Sequence, residues 1–142
     1  KNNTGKKIDV RARKFLKKSN LDYAHGTGHG VGFFLNVHEG PQSISKINKI
    51  KIREGMILSN EPGYYLKNKF GIRIENLVYV KKTKKNIFFE NLTMAPIEKD
   101  LINFKILTLS EKKYLFKYHL DVYSKISKFL NLKEKQWLAS FI

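Results

Sequence analysis

Cysteine is absent from the chain, and its absence excludes several kinds of chemistry. Without thiols there is no disulfide framework, no cysteine-based zinc ribbon and no thiol nucleophile. Long apolar runs are missing as well, because no uninterrupted stretch approaches the about 20 residues that cross a bilayer. The amino end is polar and does not resemble a signal peptide. These absences predict a cytoplasmic protein without a membrane partner.

Acidic residues are few, since 12 Asp and Glu stand against 28 Lys and Arg and leave a formal net charge of +16. Such a charge suggests nucleic-acid binding. However, only four cations are arginine, the residue that contacts bases and phosphates bidentately, and the lysines form no dominant block. A solvated lysine surface therefore explains the charge better than a specific nucleic-acid site. Weak, salt-sensitive attraction to polyanions is still expected.

The hydrophobic pattern of the first ninety residues predicts one helix followed by short antiparallel strands. Apolar residues at 8, 12, 15 and 16 have helical spacing and predict a helix over 8–19 with a basic opposite face. Asn20 could end this helix in a left-handed conformation. Strands are predicted over 56–61, 64–65 and 70–80, and a polar turn over 81–85 leads to a pairing strand at 87–89.

The last third of the chain has helical periodicity instead. Apolar residues repeat every three or four positions after Ser110, which is the predicted N-cap of a long helix that extends to Leu130. His119 lies on the apolar stripe of this helix, so we expect a packed core histidine rather than a ligand. A last short helix is predicted over 134–141.

Three of the four histidines lie within fourteen positions of one glycine-rich segment. Its alternating glycines, each costing about 1 kcal/mol in a helix, exclude a helical pair of metal ligands. In an extended segment His25 and His29 would share one face, whereas His38 has the opposite parity and needs a bulge or turn to join them. The segment is interpreted as the wall of a site. The alternative is a glycine-rich hairpin with solvated histidines.

Two carboxylates stand out by their position. Glu61 ends a predicted strand just before a Pro-Gly turn, and Glu75 is flanked by Ile74 and Leu77 in the middle of the predicted 70–80 strand. A buried carboxylate needs a cation or a metal ion. The spacing leaves Glu75 as either a metal ligand or the partner of Arg73 on a solvated face. With the three histidines, these carboxylates suit a pair of manganese, cobalt or zinc ions bound for hydrolysis.

Three blocks of sequence resemble the aminopeptidase P family of pita-bread metallopeptidases. They are His25-Gly-Thr-Gly-His29-Gly-Val-Gly with Asn36-Val-His38-Glu39-Gly40-Pro41, Gly55-Met-Ile-Leu-Ser-Asn-Glu61-Pro-Gly-Tyr-Tyr65, and Phe70-Gly-Ile-Arg-Ile-Glu75-Asn. Their order and near-family spacing match, and the tail after Val80 resembles the family's C-terminal extension. The resemblance implies an α+β fold. It would be the second half of a pita-bread structure, an antiparallel curved sheet with helices, followed by a helical extension.

The resemblance also implies an activity, a metal pair and roles for particular residues. A member would be a metalloprotease that releases the N-terminal residue from peptides with proline at position two. Its two divalent ions would be manganese, with zinc or cobalt as alternatives. By motif, His29, Glu61 and Glu75 are the implied metal ligands, with Glu75 bridging the ions.

The other matching side chains have implied roles around the substrate. Glu61 would also act as general base and then as general acid. His25 and His38 would stabilise the tetrahedral intermediate by hydrogen bonding. Tyr65 and Arg73 match positions that orient the ligands and close the pocket.

The family's two aspartate ligands, and a further histidine that contacts substrate, have no counterpart here. In the family these three ligands and contacts lie upstream of the position of Lys1. This chain's four aspartates are Asp9 and Asp22, expected to flank the first helix, and Asp100 and Asp121, and none of them is in the family motif. We therefore expect the C-terminal part of a longer protein. Residues 1–82 would be the C-terminal half of the catalytic domain and residues 83–142 its extension. The 142-residue chain alone is expected to be inactive, and the complete protein to be a homodimer.

Two alternatives stay open at the level of sequence. A prolidase-like dipeptidase shares the metal ligands but cleaves only dipeptides. A non-catalytic pita-bread module would bind peptides, histone-like proteins or nucleic acid, which the +16 charge would suit. The joint presence of the three implied ligands with His25 and His38 favours an enzyme, because a module that only binds has no need for all five.

Overall fold

The computed structural model describes residues 3–34, 36–84 and 86–142, and its elements are short strands and α-helices. The chain divides into two units, Lys1–Thr93 and Met94–Ile142. The first unit contains helix α1 (Gly5–Lys18) and all strands of the described residues. These strands are β1 (Gly28–His29), β2 (Ser43–Ile44), β3 (Ile57–Asn60), β4 (Gly63–Leu66), β5 (Phe70–Arg73), β6 (Asn76–Lys82) and β7 (Ile87–Asn91).

Helix α1 buries a pair of charged side chains, which its apolar spacing did not predict, although Ile8 of the apolar positions packs against the core. The buried positions are Gly5, Asp9 and Arg13, whereas Phe15 is 73% exposed. Asp9 and Arg13 are one turn apart, and Arg13 Nε donates to Asp9 Oδ2 over 2.8 Å, so the two charges compensate each other inside the unit. Asp9 thus lies within the helix and does not flank it. The predicted left-handed conformation of Asn20 is confirmed, with φ 57°.

The strands form three small antiparallel sheets. Strand β1 pairs with β2, β4 pairs with β5, and β6 lies between β3 and β7. The predicted hairpin of β6 and β7 is confirmed, although β6 continues to Lys82 and shortens the predicted turn. Lys85, in that turn, lies outside the described residues. The first unit's core packs between these sheets and α1 around buried Ile44, Ile52, Leu58, Val78 and Val80.

The strand predicted over 70–80 is interrupted at two residues. Strand β5 ends at Arg73 and β6 begins at Asn76, so Ile74 and Glu75 belong to neither. Because β5 pairs with β4 while β6 pairs with β3, the chain changes sheet at this point. The apolar alternation at 72, 74, 78 and 80 is broken by Asn76 at the crossover, but one polar position does not by itself indicate a change of sheet. The prediction that Glu75 lies in mid-strand is therefore wrong.

The second unit contains helices α2 (Leu109–Ile126) and α3 (Leu132–Ala139). The predicted N-cap, Ser110, is wrong, because Thr108 caps α2 instead. The Thr108 hydroxyl accepts from the Glu111 backbone N–H, and the Glu111 carboxylate accepts from the Thr108 N–H over 2.7 Å. This reciprocal capping box satisfies two unpaired donors of the first turn.

Helix α2 ends earlier than predicted, and a 3₁₀ turn, Ser127–Phe129, separates it from α3. His119 is 3% exposed, and its Nε2 accepts from the Ile97 backbone N–H over 3.1 Å. The predicted core histidine is therefore confirmed. In the described parts of the chain, no helix has the length and apolar character needed to cross a bilayer.

Candidate metal centre

His29, Glu61 and Glu75 come together from three different elements. His29 ends β1, Glu61 follows β3 directly, and Glu75 lies in the crossover between β5 and β6. One donor atom of each lies within 4.8 Å of the donors of the other two, and His29 Nε2 is 3.5 Å from Glu61 Oε1. Two ligands that share a divalent ion at about 2.1 Å are at most about 4.2 Å apart. The cluster therefore fits one such ion after small side-chain adjustments.

Glycines allow β1 to approach β3 closely enough to form this cluster. A Cβ atom on Gly28 would collide with the backbone carbonyl of Ser59. Gly30 forms an isolated bridge with Leu58 of β3. The alternating glycines of the sequence thus provide a close backbone approach, which a side chain at position 28 would prevent.

Glu61 is nearly buried and held from several directions. It is 9% exposed, its backbone N–H donates to the Thr27 carbonyl over 2.8 Å, and Ser59 Oγ donates to its Oε1 over 2.7 Å. Its other oxygen, Oε2, lies 3.5 Å from Arg73 Nη1. These contacts fix one carboxylate oxygen toward His29 and the other toward the guanidinium.

Arg73 lies between the two glutamates of the cluster. Its Nε is 3.6 Å from Glu75 Oε2, while its Nη1 contacts Glu61. The two alternatives left open for Glu75 are thus compatible, because its 41% exposed side chain pairs with Arg73 and also belongs to the three-residue cluster. With neutral imidazole, the two carboxylates and one guanidinium carry a net charge of −1, which favours a cation.

The other two histidines of the glycine-rich segment occupy different surroundings. The His38 ring lies 4.0 Å from the His29 ring between centroids, because the loop turns back and Glu39 N–H donates to the Gly30 carbonyl over 2.9 Å. This is the turn that the parity of His38 requires. His25 instead lies in a bend outside β1, so the prediction of one extended strand through His25 and His29 is wrong.

Tyr65 and the Gly26 carbonyl, 2.7 Å from His25 Nδ1, both hold the side chain of His25. The Tyr65 hydroxyl is 2.7 Å from His25 Nε2, and the Tyr65 ring covers Gly63 and Gly71, where a Cβ atom would collide with it. Gly63 follows Glu61 after one proline, so His25 and Tyr65 lie next to the strand end that carries the candidate ligand. The structure thus joins His38 to His29 and His25 to Tyr65.

A buried ion-pair network, which the sequence analysis missed, holds the segment that leads to His25. Arg13 donates to the carbonyls of Tyr23 and His25 over 2.7 and 2.6 Å and to Asp22 Oδ1 over 2.6 Å. Burial alone would lower the pKa of Arg13, but the hydrogen bonds to Asp9 and Asp22 outweigh it and raise the pKa. The i, i+4 spacing of Asp9 and Arg13 was the available signal.

The same network reaches Glu61 through Thr27. The fully buried Thr27 hydroxyl donates to Asp9 Oδ1 over 2.6 Å and lies 2.5 Å from the Tyr23 hydroxyl. The Thr27 carbonyl accepts from the backbone of Glu61. Burial raises the pKa of the Tyr23 phenol, so it stays a neutral hydrogen-bonding group. Helix α1 is therefore connected to the candidate ligand by a continuous chain of hydrogen bonds.

The cluster supplies too few carboxylates for two metal ions. Among the described residues it comprises one imidazole and two carboxylates. Asp9 and Asp22 are occupied by cations, with Arg13 on the first and with Arg13, Lys17 and Lys46 on the second. Two divalent ions carry four positive charges, so a dinuclear centre would require further acidic ligands.

A donor set of one imidazole and two carboxylates suits a hydrolytic metal centre, and comparison with known families identifies a metallopeptidase. A model of metallopeptidase family M24 matches residues 1–82, and a model of the C-terminal region of peptidase M24 matches residues 85–140. The chain belongs to metallopeptidase family M24.

One relative is similar in sequence and another in both sequence and structure. A probable Xaa-Pro aminopeptidase P from Laccaria bicolor is 47% identical over 95% of this chain and 23% of its own length. An X-prolyl aminopeptidase from Caenorhabditis elegans, described as a cytosolic enzyme with a di-nuclear active site, superposes with a TM-score of 0.88 and 36% identity over 98% of this chain and 24% of its own.

A prolidase from Pyrococcus furiosus is similar over a smaller part of the chain. It superposes with a TM-score of 0.53 and 34% identity over 62% of this chain and 25% of its own. The chain spans about a quarter of the length of the relatives it matches. The similarity supports the implied second half of a pita-bread fold with a C-terminal extension.

Proposed function

We propose that this chain supplies part of the active site of a metal-dependent Xaa-Pro aminopeptidase. The observation that carries the proposal is the convergence of His29, Glu61 and Glu75, whose donor atoms lie within 4.8 Å of one another. These are the positions at which the resemblance implies metal ligands. The Laccaria and Caenorhabditis relatives, both named as enzymes of this specificity, support it.

In this proposal the three clustered residues are the metal ligands that this chain supplies. His29 presents Nε2, since its Nδ1 lies 3.0 Å from the Gly30 carbonyl and is engaged there. Glu61 and Glu75 present carboxylate oxygens. When bound, divalent ions supply Lewis acidity, which polarises the scissile carbonyl and makes water a stronger nucleophile near neutral pH. The oxygen-rich donor set favours manganese, with zinc or cobalt as alternatives.

Glu61, in addition to its role as a ligand, and the side chains around the cluster would act on the peptide. Glu61 takes the proton of the attacking water and returns it to the leaving amine. His38 donates a hydrogen bond to the oxygen of the tetrahedral intermediate. His25 would do the same from Nε2, which requires release from the Tyr65 hydroxyl and a proton on that nitrogen, since its Nδ1 lies 2.7 Å from the Gly26 carbonyl. Tyr65 orients His25 through their 2.7 Å contact, and Arg73 holds the two carboxylates in place from 3.5 and 3.6 Å.

A prolidase-like dipeptidase is the nearer alternative, because it would use the same residues. An aminopeptidase is favoured because the Laccaria and Caenorhabditis relatives match 95% and 98% of the chain. The 62% coverage by the Pyrococcus prolidase does not itself discriminate, since an X-Pro aminopeptidase from Thermotoga maritima covers 61%. The match of residues 85–140 to a C-terminal region of the family supports the division into residues 1–82 and an extension over 83–142. Comparing tripeptide and dipeptide substrates distinguishes the two activities.

The cellular setting follows from the same similarities. The relative from Caenorhabditis is described as cytosolic, which supports a cytoplasmic enzyme. Its partner would be a peptide with proline at position two, with no specific nucleic acid and no membrane. The complete enzyme would be a homodimer. A module that only binds peptides, histone-like proteins or nucleic acid has less support, because binding alone does not require a metal-ligand cluster.

Metal titration tests the proposed ligands directly. Mn²⁺ added to the 142-residue chain is followed by the electron paramagnetic resonance signal of the free ion. We expect one site of modest affinity, lost in His29→Ala, Glu61→Gln and Glu75→Gln. Glu54→Gln is the matched control, because Glu54 is exposed and outside the cluster. Equal binding by wild type and Glu61→Gln would contradict the proposal.

A further inference from the structure

Ser59 is a fully buried hydroxyl between two of the proposed metal ligands. It lies in β3 with 0% exposure, two residues before Glu61. Its Oγ accepts from the backbone N–H of His29 over 2.9 Å and donates to Glu61 Oε1 over 2.7 Å. One side chain therefore touches the backbone of the histidine and the carboxylate of the glutamate.

The direction of both hydrogen bonds is fixed by the chemistry of the partners. A backbone N–H can only donate, so the Ser59 oxygen must accept from His29. An ionised carboxylate can only accept, so the Ser59 hydrogen must point to Glu61. The single hydroxyl proton is thus committed to Oε1, the Glu61 oxygen that lies 3.5 Å from His29 Nε2.

The strand positions make this arrangement specific to residue 59. Side chains two apart on a strand share a face, so Ser59 and Glu61 point to the same side of β3, while Leu58 points into the core. Gly28 allows the backbone of β1 to pass against the Ser59 carbonyl, which brings His29 N–H within reach of the hydroxyl. Replacing Ser59 by an apolar residue would leave the His29 N–H and Glu61 Oε1 without this partner.

We propose that Ser59 is a positioning residue of the metal centre, whose hydroxyl sets the orientation of Glu61 relative to His29. The inference rests on the proposed function, because it concerns how those two ligands are held. Ser59 itself points its oxygen at protein groups and is not a ligand. Its removal lets the Glu61 carboxylate rotate away from His29, so the loss falls on metal affinity more than on folding.

Three substitutions of Ser59 and one control separate positioning from packing. Ser59→Ala and Ser59→Val remove the hydroxyl, whereas Ser59→Thr keeps it. Leu58→Val is the control, because Leu58 is equally buried, neighbours Ser59 and faces away from the cluster. Mn²⁺ affinity is measured by electron paramagnetic resonance on the 142-residue chain at a temperature where every variant is folded. Thermal unfolding is measured separately without metal.

We expect Ser59→Ala and Ser59→Val to weaken Mn²⁺ binding about 10- to 100-fold, as losses of outer contacts to ligands commonly do. Ser59→Thr should bind close to wild type even if its Tm falls. Leu58→Val should lower the Tm without weakening binding.

Two results would overturn the inference while leaving the proposed function intact. One is that Ser59→Val binds Mn²⁺ as tightly as wild type. The other is that Leu58→Val loses as much Mn²⁺ affinity as Ser59→Val when both variants lower the Tm by the same amount. A wild-type chain that binds no Mn²⁺, or binds it equally after Glu61→Gln, would instead refute the proposed function and this inference with it.

Discussion

At the scale of single residues, the connection between helix α1 and the histidine segment depends on Arg13. Its guanidinium is buried, and five donors in a planar fork allow it to bond Asp9, Asp22 and two backbone carbonyls at once. A lysine could not reproduce this geometry with a single ammonium group. The carbonyl of His25 is one of the acceptors, so the network positions the backbone of His25 as well as stabilising the fold.

Arg13→Met is expected to lower the free energy of unfolding of the first unit by about 3–5 kcal/mol, because it leaves Asp9 buried without its cation. Unfolding in urea is followed by the methyl NMR signals of Val78 and Val80, which are buried in the core of this unit. Arg11→Met, on the exposed side of the same helix, should change stability by less than about 0.5 kcal/mol. Similar effects of the two substitutions would contradict a structural role for the buried pair.

Asp22 gives the first unit a defined dependence on acid. Hydrogen bonds from Lys46 and from Arg13 hold the pKa of its carboxyl well below the usual range. Because the folded carboxyl binds its proton less tightly than the unfolded one, these contacts stabilise the fold above the unfolded pKa of about 3.9. The stabilisation is lost as the pH falls from there through the lower folded pKa.

Asp22→Asn should therefore reduce stability at pH 6 and flatten the loss of stability between about pH 4.5 and pH 2, where an aspartate with a depressed pKa takes up its proton. Urea unfolding at a series of pH values measures both effects. Glu54→Gln serves as the control, since Glu54 is exposed. A pH profile of Asp22→Asn parallel to that of wild type would show that this carboxyl does not control acid stability.

At the scale of elements, local patterns predicted where strands and helices occur but not how they meet. The alternation of apolar residues predicted the hairpin of β6 and β7. The opposite strand parity of His38 and His29 predicted the turn that brings their rings together. The burial of Asp9 and Arg13 on α1 could not be predicted in this way, because the two opposite charges are buried only where the rest of the unit surrounds them. The crossover at Glu75 was missed because its one sequence signal is Asn76, a single polar residue in an otherwise apolar alternation.

The candidate site shows the same division. That His29, Glu61 and Glu75 come together was predictable, because the resemblance of three sequence blocks implied a shared site for them. Ser59 and Thr27 were not predictable, because their contacts to His29 and Glu61 depend on the register of β1 against β3. A serine in an apolar strand gives no signal of its own in the sequence.

Thr108→Ala is expected to destabilise the second unit by about 1 kcal/mol, because it removes the hydroxyl that caps α2. Trp137, the chain's single tryptophan, lies in α3 and reports unfolding of this unit by fluorescence. Ser110→Ala, at the N-cap position predicted from the sequence, should change stability by less than about 0.5 kcal/mol. The reverse order of the two effects would restore Ser110 as the cap.

At the scale of the whole molecule, the net charge of +16 should produce attraction to polyanions without specificity. Binding to random-sequence DNA is expected to be weak and to fall steeply as salt rises, because counterion release drives it. Fluorescence anisotropy with two unrelated duplexes at several salt concentrations measures this. A complex that prefers one sequence and persists at physiological salt would favour a nucleic-acid-binding module over an enzyme.

Peptidase activity is expected to require metal ligands beyond the three that the described cluster supplies. The described cluster supplies two carboxylates and one histidine, and the chain covers about a quarter of its relatives' length. Losing even an outer contact to a ligand commonly costs 10- to 100-fold in metal affinity or activity, so a centre without two carboxylate ligands should lose far more. A second divalent ion would also be poorly held by the charge available.

We therefore expect the 142-residue chain to show no measurable cleavage of an Arg-Pro-Pro peptide with added Mn²⁺. A polypeptide that joins it to a segment supplying the two family aspartates should release the N-terminal arginine, because the full set of carboxylates can then hold both ions. In that polypeptide Glu61→Gln should abolish turnover, since it removes both a ligand and the proton acceptor. Release of arginine is measured by chromatography. Robust cleavage by the 142-residue chain alone would mean that His29, Glu61 and Glu75 suffice, and that the aspartates implied by the resemblance are not needed.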